Sequence, residues 1–285
     1  MNFFMKILIN ILKFIIMLIL VVCILFFGIK NIVLSTIMDK DYVLNKLEET
    51  NFYSGTYELV ESGFENYIAQ SGLEEVVLNN ICTEEKIKND IGIIINNIYN
   101  GTNEEIDTTE IANNLNANID KLDVRTSQNK SALDKFVQQI CTEYKNTILN
   151  TKYENTINEI LNKTTNLLEK LQTIVTIVTI ISVICLILLN IKNISKLVGN
   201  IGTVLLSSSV TILVVINLIN ANINISAIKL FNNVFSSSIV TILQDILSKV
   251  NKFGIIILIT SIVVILINAI INFVKTNQKE EIKEE

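Results

Sequence analysis

Proline, histidine and tryptophan are all missing from this chain of 285 residues, and arginine occurs only once, at Arg125. Without an imidazole group, the chain cannot use histidine for proton transfer or as a metal ligand, and its four cysteines are too scattered for a zinc site. Isoleucine, asparagine and lysine are abundant instead, a bias typical of AT-rich bacterial genomes. The composition also excludes collagen-like and disulfide-dense proteins.

Charged residues make up 18% of the chain, compared with about 25% in a typical soluble domain, whereas hydrophobic residues make up 50%. The mean hydropathy is +0.48, which excludes a disordered chain and is high for a purely soluble protein. The composition therefore indicates a membrane protein, and the long apolar segments of the sequence support this interpretation.

Four segments are long and apolar enough to cross a bilayer, which requires about 20 mostly apolar residues. They are approximately residues 7–29, 173–189, 201–219 and 253–274. Lys13 is the only charged residue among them, and it lies near the start of the first span, where it can snorkel to the interface. The first segment is longer than the core of a signal peptide and no small-residue cleavage site follows it, so we interpret it as an uncleaved anchor.

Small and hydroxyl-bearing residues indicate how the spans pack together. Gly199 and Gly202 predict a close crossing between spans two and three. Ser207, Ser208, Ser209 and Thr211 give span three a polar stripe, which either bonds to helix backbone or lines a solute path. We favour helix packing, because no ionisable residue lies within the cores of the later spans.

Lysine residues near the ends of the spans predict the orientation of the chain in the membrane. Seven of them lie in the N-terminal end, the loop between spans two and three, and the tail: Lys6, Lys13, Lys192, Lys196, Lys275, Lys279 and Lys283. Because positively charged flanking residues favour the cytoplasmic side, both termini are predicted to be cytoplasmic. The protein would then be a multi-pass protein of the cell membrane, with residues 38–170 outside the cytoplasm.

Residues 38–170 form an acidic segment that is long enough for one domain with its own core. They contain 12 basic and 23 acidic residues, which gives a net charge of −11, and all seven tyrosines of the chain. Such a domain would repel phosphate groups, so nucleic acid is not an expected partner. An acidic surface in contact with water is the simplest interpretation.

The spacing of apolar residues in this domain predicts α-helices almost throughout, and no strand pattern stands out. Thr83 is positioned to cap a helix whose apolar face begins at Ile87, and Asn100-Gly101 is a typical helix end. The other predicted apolar stripes are Tyr57, Val60, Phe64, Tyr67 and Ile68; Ile111, Leu115, Ile119 and Leu122; and Leu133, Val137, Ile140 and Tyr144. The last helix is predicted to run from Tyr153 to Asn190, joining the domain to span two as one rod.

The predicted fold class is all-α: four transmembrane helices, with an extracytoplasmic helical bundle domain inserted between spans one and two. An extracytoplasmic amphipathic helix is predicted before span four; it can lie in the membrane interface or pack under the outer domain, and we favour a mixture of the two. The predicted parts are residues 1–37 (cytoplasmic N-terminal end and span one), 38–170 (outer domain), 171–220 (spans two and three), 221–252 (amphipathic helix) and 253–285 (span four and charged cytoplasmic tail).

Candidate chemical groups are few, and none completes a catalytic, cofactor-binding or metal-binding motif. Ser127 and Lys130 match the Ser-x-x-Lys pattern of penicillin-binding enzymes, but the companion Ser-Asp-Asn and Lys-Thr-Gly motifs are missing. Cys82 and Cys141 both lie in the predicted outer domain, as either a disulfide or two free thiols. We therefore expect a protein that is not an enzyme and needs no cofactor.

In layout and composition the chain resembles uncharacterised four-span integral membrane proteins of low-GC Gram-positive bacteria. We expect a protein of the cell envelope whose outer domain binds a protein partner or ligand, or acts as a scaffold, while the spans contact the lipid bilayer. The order of one span, a large outer domain and three spans also looks like that of ABC-type permeases, in which a coupling helix between spans two and three docks on an ATPase. This resemblance implies a permease-like subunit as the alternative function.

Overall fold

The computed structural model describes residues 3–126, 128–148, 151–229 and 232–284, with the backbone alone for residues 3, 151–156 and 278–284. The α-helices are α1 (Phe3–Leu34), α2 (Lys40–Glu49), α3 (Phe52–Ser71), α4 (Glu84–Asn100), α5 (Thr109–Lys121), α6 (Lys130–Ile148), α7 (Thr151–Asn190), α8 (Ile194–Asn222) and α9 (Asn233–Glu284). Short 3-10 helices lie at Glu75–Leu78 and Ile225–Ala227. The described residues contain no strand, and the predicted all-α class is confirmed.

Four of these helices, α1, α7, α8 and α9, are long and apolar enough to cross a membrane. The qualifying segments are Phe4–Leu34, Ile157–Asn190, Ile194–Asn222 and Asn233–Asn277, and each contains one of the four predicted spans. Only 11% to 33% of each apolar window is buried inside the protein, so most of its surface is available to lipid. These features are those of a multi-pass membrane protein.

The helices belong to two compact units. The membrane-helix unit consists of Met1–Thr36, Thr165–Ile228 and Leu243–Glu285. The helical unit consists of Ile37–Thr164 and Lys229–Ile242, and it contains α2 to α6. Both α7 and α9 contribute residues to each unit, since each of these helices continues through a unit boundary.

Apolar stripes predicted on α3, α5 and α6 form the core of the helical unit. The most completely buried apolar side chains are Val60, Phe64, Val77, Ile81, Ile87, Ile111, Leu115, Ile119, Ile140 and Tyr144, each at most 2% exposed. Tyr57, Tyr67 and Leu122 from the same stripes lie half-buried at its edge. Burial of one such side chain contributes about 1.5–3 kcal/mol, so this core is the main stabilising feature of the unit.

Local capping explains where α4 begins and ends. The side chain of Thr83 accepts a hydrogen bond from the backbone amide of Lys86 at 3.1 Å, which confirms the predicted N-cap. At the other end, Gly101 has a φ of +67°, and its amide donates to the carbonyl of Asn97 at 2.8 Å. Glycine adopts this left-handed conformation without steric cost, so the helix stops at the predicted position.

Two helices are much longer than a membrane is thick. The 40 residues of α7 extend for about 60 Å, which confirms the predicted rod from the acidic segment into span two. The 52 residues of α9 run without a break through residues 252 and 253, where we predicted the boundary between the amphipathic helix and span four. No proline interrupts either helix, and Gly254 is accommodated inside α9 because its lack of a side chain lets α8 approach.

The first turns of α9 pack within the helical unit. The rings of Phe235 and Phe52 lie 6.3 Å apart in an edge arrangement. One turn further on, the hydroxyl groups of Ser238 and Thr50 are 2.7 Å apart. Of the two placements predicted for the amphipathic segment, these turns adopt packing against the domain.

Small residues bring α8 and α9 together in an antiparallel pair. A Cβ atom added to Gly202 would lie 2.9 Å from Cγ1 of Ile265, and one added to Gly254 would lie 2.9 Å from Cγ2 of Ile212. Gly199 faces Asn268 in the same register. The predicted close crossing of Gly199 and Gly202 with span two is therefore wrong. Both glycines face span four, because they lie on the side of α8 that packs against α9.

A third glycine lets α1 contact α9, and its substitution tests this packing. A Cβ atom on Gly28 would overlap the ring of Phe253, so we expect Gly28→Ala to destabilise the membrane-helix unit by about 1–3 kcal/mol. Thermal unfolding in detergent, followed by circular dichroism, measures the change. Gly92→Ala is the matched control: no atom lies within 4 Å of its added Cβ, so this variant gains about 0.5–1 kcal/mol.

The second change Phe253→Leu removes the clashing ring and should restore part of the stability lost in Gly28→Ala. Equal unfolding midpoints for Gly28→Ala and Gly92→Ala would contradict the close approach of α1 and α9 at this level.

Candidate functional site

Two groups of polar side chains in the helical unit are candidates for a site: an internal cluster around Asp90 and an open groove beside Asn118. Asp90 lies on α4 and is only 3% exposed. The Nζ atom of Lys86, one turn earlier on α4, donates to its two carboxylate oxygens at 2.7 and 2.6 Å. The hydroxyl of Tyr144 on α6 donates to the same carboxylate at 2.6 Å.

This internal cluster is closed to ligands. Tyr144 is fully buried, and the Lys86 ammonium also lies 5.8 Å from the centre of the tyrosine ring. Both oxygens of Asp90 are therefore paired within the protein. Removing one partner of a buried ion pair typically costs about 3–5 kcal/mol, whereas the intact pair adds little net stability. The cluster consequently specifies how α4 and α6 pack, and it leaves no free group for a substrate.

Cys82 lies two residues before the start of α4 and next to this cluster, and its thiol is weakly reactive. Burial raises the pKa of its thiol to about 11. Its Sγ atom lies 3.7 Å from the carbonyl oxygen of Thr83. Burial first, and then the hydrogen bond to Asp90, raise the pKa of Tyr144 as well. A catalytic thiol requires the opposite shift, because the thiolate is the nucleophile.

The remaining predicted residues do not come together as a reactive site. All four cysteines are free thiols in the structure. The Sγ atom of Cys141 lies 3.9 Å from the carbonyl oxygen of Thr108, and the disulfide with Cys82 stays a prediction. Ser127 lies outside the described residues, and Lys130 is the exposed first residue of α6. Among the described residues, no group of three acidic or cysteine side chains could hold a metal ion.

The open groove lies between the 3-10 helix Glu75–Leu78 and α5. It has a volume of about 370 Å³ and is lined by Val76, Asn79, Asn80, Asn114, Ala117, Asn118, Lys121 and Leu122. The side-chain amide of Asn118 donates to the carbonyl oxygens of Val77 at 3.0 Å and Asn79 at 2.8 Å. These two bonds hold the 3-10 helix and the turn that follows it against α5, and so they fix one wall of the groove.

The chemistry of this groove suits a peptide segment. Val76 is 44% exposed, so it offers an apolar contact, and the side-chain amides of Asn79 and Asn80 on the lining supply both donors and acceptors for backbone amide groups. The sequence predictions did not include this site. Its only sequence signal is the spacing of Asn114 and Asn118, which places two amides on one face of α5.

Polar pairs also join α1 and α7 in the membrane-helix unit. Lys13 Nζ donates to Asn190 Oδ1 at 2.8 Å, so the lysine predicted to snorkel has a partner in span two. Lys30 Nζ, on a side chain that is 9% exposed, donates to Gln172 Oε1. The two lysines are about 26 Å apart along the helix, close to the thickness of the hydrocarbon core, so the pairs bracket the lipid-facing stretch.

The chain matches no protein-family model, no curated protein and no solved structure. Its class is therefore defined by its own fold, an all-helical protein with four membrane-length apolar helices and a helical unit with a separate core.

The hydroxyl of Tyr144 provides a test of the internal cluster. We expect Tyr144→Phe to lower the free energy of unfolding by about 1–3 kcal/mol, because Asp90 loses a buried donor. Chemical denaturation of the full chain in detergent measures the loss. The matched control is Tyr67→Phe, which removes a longer hydrogen bond to Glu143 of 3.3 Å, and its effect should be smaller. If both variants lost the same stability, the Asp90 cluster would not have the structural role assigned to it.

Proposed function

We propose that this protein is a non-enzymatic integral protein of the cell membrane that presents its helical unit outside the cytoplasm, where the unit binds a protein partner or acts as a scaffold. The observation that carries this proposal is the open groove around Asn118. It combines an exposed Val76 with amide groups held in place by backbone hydrogen bonds. A preformed groove of this kind suits an extended segment of another protein.

The state of the reactive groups supports a binding role over catalysis. Asp90 and Tyr144 bond to each other inside the core, and the pKa of Cys82 is raised rather than lowered. The groove has amides, one lysine and aliphatic side chains on its walls, which are groups for recognition rather than for proton transfer.

The charge distribution supports the proposed orientation. Seven lysines flank the spans on the side of the termini, whereas residues 38–170 carry a net charge of −11. Lysines on the cytoplasmic side of the spans agree with the general bias of multi-pass proteins. Both termini would then be cytoplasmic.

The permease-like alternative has less support. The family that it resembles has a coupling helix between spans two and three. In this chain α7 ends at Asn190 and α8 begins at Ile194, so three residues join the two helices. That connection has no room for a separate helix, and we therefore favour the binding or scaffolding function.

Thiol labelling of intact cells tests the orientation. Asn66→Cys adds a thiol to the exposed side of α3, and Ile191→Cys adds one to the α7–α8 connection, where the native side chain is 66% exposed. We expect a membrane-impermeant maleimide to label Asn66→Cys in intact cells and Ile191→Cys only after lysis. The unmodified chain is the control, because burial and a pKa of about 11 make Cys82 react slowly. The reverse labelling pattern would place the helical unit in the cytoplasm.

Photo-crosslinking from the groove tests partner binding. A photoreactive residue at Val76 should give a discrete adduct in living cells, whereas the same residue at Asn66 on α3 should not. Ala117→Phe should reduce the adduct at least about fivefold, because a ring at this exposed lining position fills the groove. Ala132→Phe, at an exposed position of α6, is the matched control and should leave the yield unchanged. Equal adducts from both probe positions would overturn the assignment of the groove.

A further inference from the structure

The two ends of the antiparallel pair of α8 and α9 differ: side chains join the helices at one end, and residues of both helices line a cavity at the other. At one end the pair is closed by side chains, because the Ser195 hydroxyl donates to Asn268 Oδ1 at 2.8 Å and also contacts Asn272 Oδ1. Close approach continues as far as Gly254, which faces Ile212. Beyond Gly254, a cavity of about 610 Å³ is lined by residues of α8, of α9 and of the connection between them.

The cavity walls are polar but uncharged. They are formed by Ile216, Asn217, Asn220, Ala221, Asn222, Ile223, Asn224, Ile225, Ser226, Gln244, Leu247, Ser248 and Asn251. Eight of these thirteen side chains end in an amide or a hydroxyl group, and none is ionisable. An ionic ligand would find no opposite charge on the lining, whereas a neutral ligand with several hydroxyl groups would find many donors and acceptors.

Some of the polar side chains on the cavity wall are held in place by hydrogen bonds within the protein, and others are free to bind a ligand. Asn217 and Asn222 each donate to the backbone of α8 at 2.8 Å, to Leu213 and Leu218 respectively, which orients their side chains. Gln244 donates to Ser226 at 3.2 Å and so ties the 3-10 helix Ile225–Ala227 to α9. Within the described ranges, the side chains of Asn220, Asn224, Ser248 and Asn251 make no hydrogen bond. Their groups are therefore available to a ligand.

The cavity lies at the level of a membrane boundary. Gly28 of α1 contacts Phe253 of α9, and Lys30 follows two residues later on α1. Asn251, on the cavity wall, precedes Phe253 by two residues on α9. The C-terminal end of α1 and the part of α9 before Phe253 therefore lie at the same height in the membrane-helix unit. The cavity is at this height, and so is the Lys30–Gln172 pair. That pair marks one end of the apolar stretch, where lipid headgroups begin.

We propose that this cavity binds an uncharged, hydroxyl-rich group of the hexose class, supplied either as the headgroup of a glycolipid or as a soluble sugar. Its volume is within the range of sites for small molecules. Side-chain amides both donate and accept hydrogen bonds, so neighbouring asparagines can pair with adjacent sugar hydroxyls. The aliphatic residues Ile216, Ile223 and Leu247 provide the apolar contacts for the ring carbons and for the start of a lipid chain. This proposal does not depend on the function proposed for the groove of the helical unit.

Protection of an engineered thiol tests the site in the full chain. Ser248→Cys places a thiol on the cavity wall, and the rate of its reaction with a maleimide is measured in phosphatidylcholine nanodiscs. We expect a diglucosyl diacylglycerol in the nanodisc to slow this reaction at least about fivefold, because a bound headgroup covers most of the pocket surface. The protein is purified in an amine-oxide detergent, since maltoside detergents carry the proposed headgroup.

Asn277→Cys, an exposed position near the opposite end of α9, is the matched control, and its reaction rate should not change. Slower labelling of Ser248→Cys by the glycolipid alone identifies a lipid headgroup as the source. Slower labelling by free maltose as well identifies a soluble sugar, and both outcomes support the proposal. No protection by either compound, or equal protection by anionic phosphatidylglycerol, would overturn it.

A second pair of changes tests which groups bind. In the Ser248→Cys background, Asn220→Leu with Asn251→Leu should abolish the protection, because two free amides are lost from facing helices. Asn277→Leu should leave the protection intact. The glycolipid should also raise the thermal midpoint of the unmodified chain but not that of the double leucine variant, which is a readout independent of the thiol. Full protection in the double variant would contradict the assigned binding groups.

Discussion

The hydrocarbon core of a bilayer offers no hydrogen bonds to a polypeptide, and the membrane-helix unit is built around this constraint. Its long helices satisfy their own backbone, and the buried hydroxyls of Ser208 and Ser261 donate to carbonyl oxygens of the same helix at 2.8 and 2.7 Å. In the polar stripe of span three, Ser209 and Thr211 donate in the same way to carbonyl oxygens of α8, as the helix-packing interpretation predicts. Polar pairs between helices, such as Lys13 with Asn190, lie at the ends of the apolar stretch, where water and headgroups are available.

Water imposes the opposite constraint on the helical unit. There, apolar stripes such as Ile111, Leu115 and Ile119 of α5 must leave the solvent, and they form the buried core. Among the described residues of this unit, Asp90 is the one charged residue deep in the core, and it is tolerated because Lys86 and Tyr144 satisfy it completely. The two candidate binding sites share one feature: asparagine side chains line the places where the helices do not pack closely.

Local features of the fold follow from short stretches of sequence. The cap at Thr83, the stop at Gly101 and the continuous rod of α7 depend on residues close together in the chain, and the structure confirms these predictions. The partner of Gly202 was predicted wrongly, because a small residue indicates that some helix comes close but not which one. The groove at Asn118 was not predicted at all, since its two walls are about 40 residues apart along the chain.

Hydrophobic periodicity and capping act over a few residues, so the order of amino acids is enough to specify the number of spans, the helical character of the acidic segment and the faces that avoid water. The pairing of those faces is a property of the folded chain. The contact of Gly28 with Phe253, the hydrogen bond from Tyr144 to Asp90, and the cavity lined by α8, α9 and their connection all depend on residues from separate helices. Such contacts are selected by the shape and polarity of whole surfaces, which no local pattern specifies.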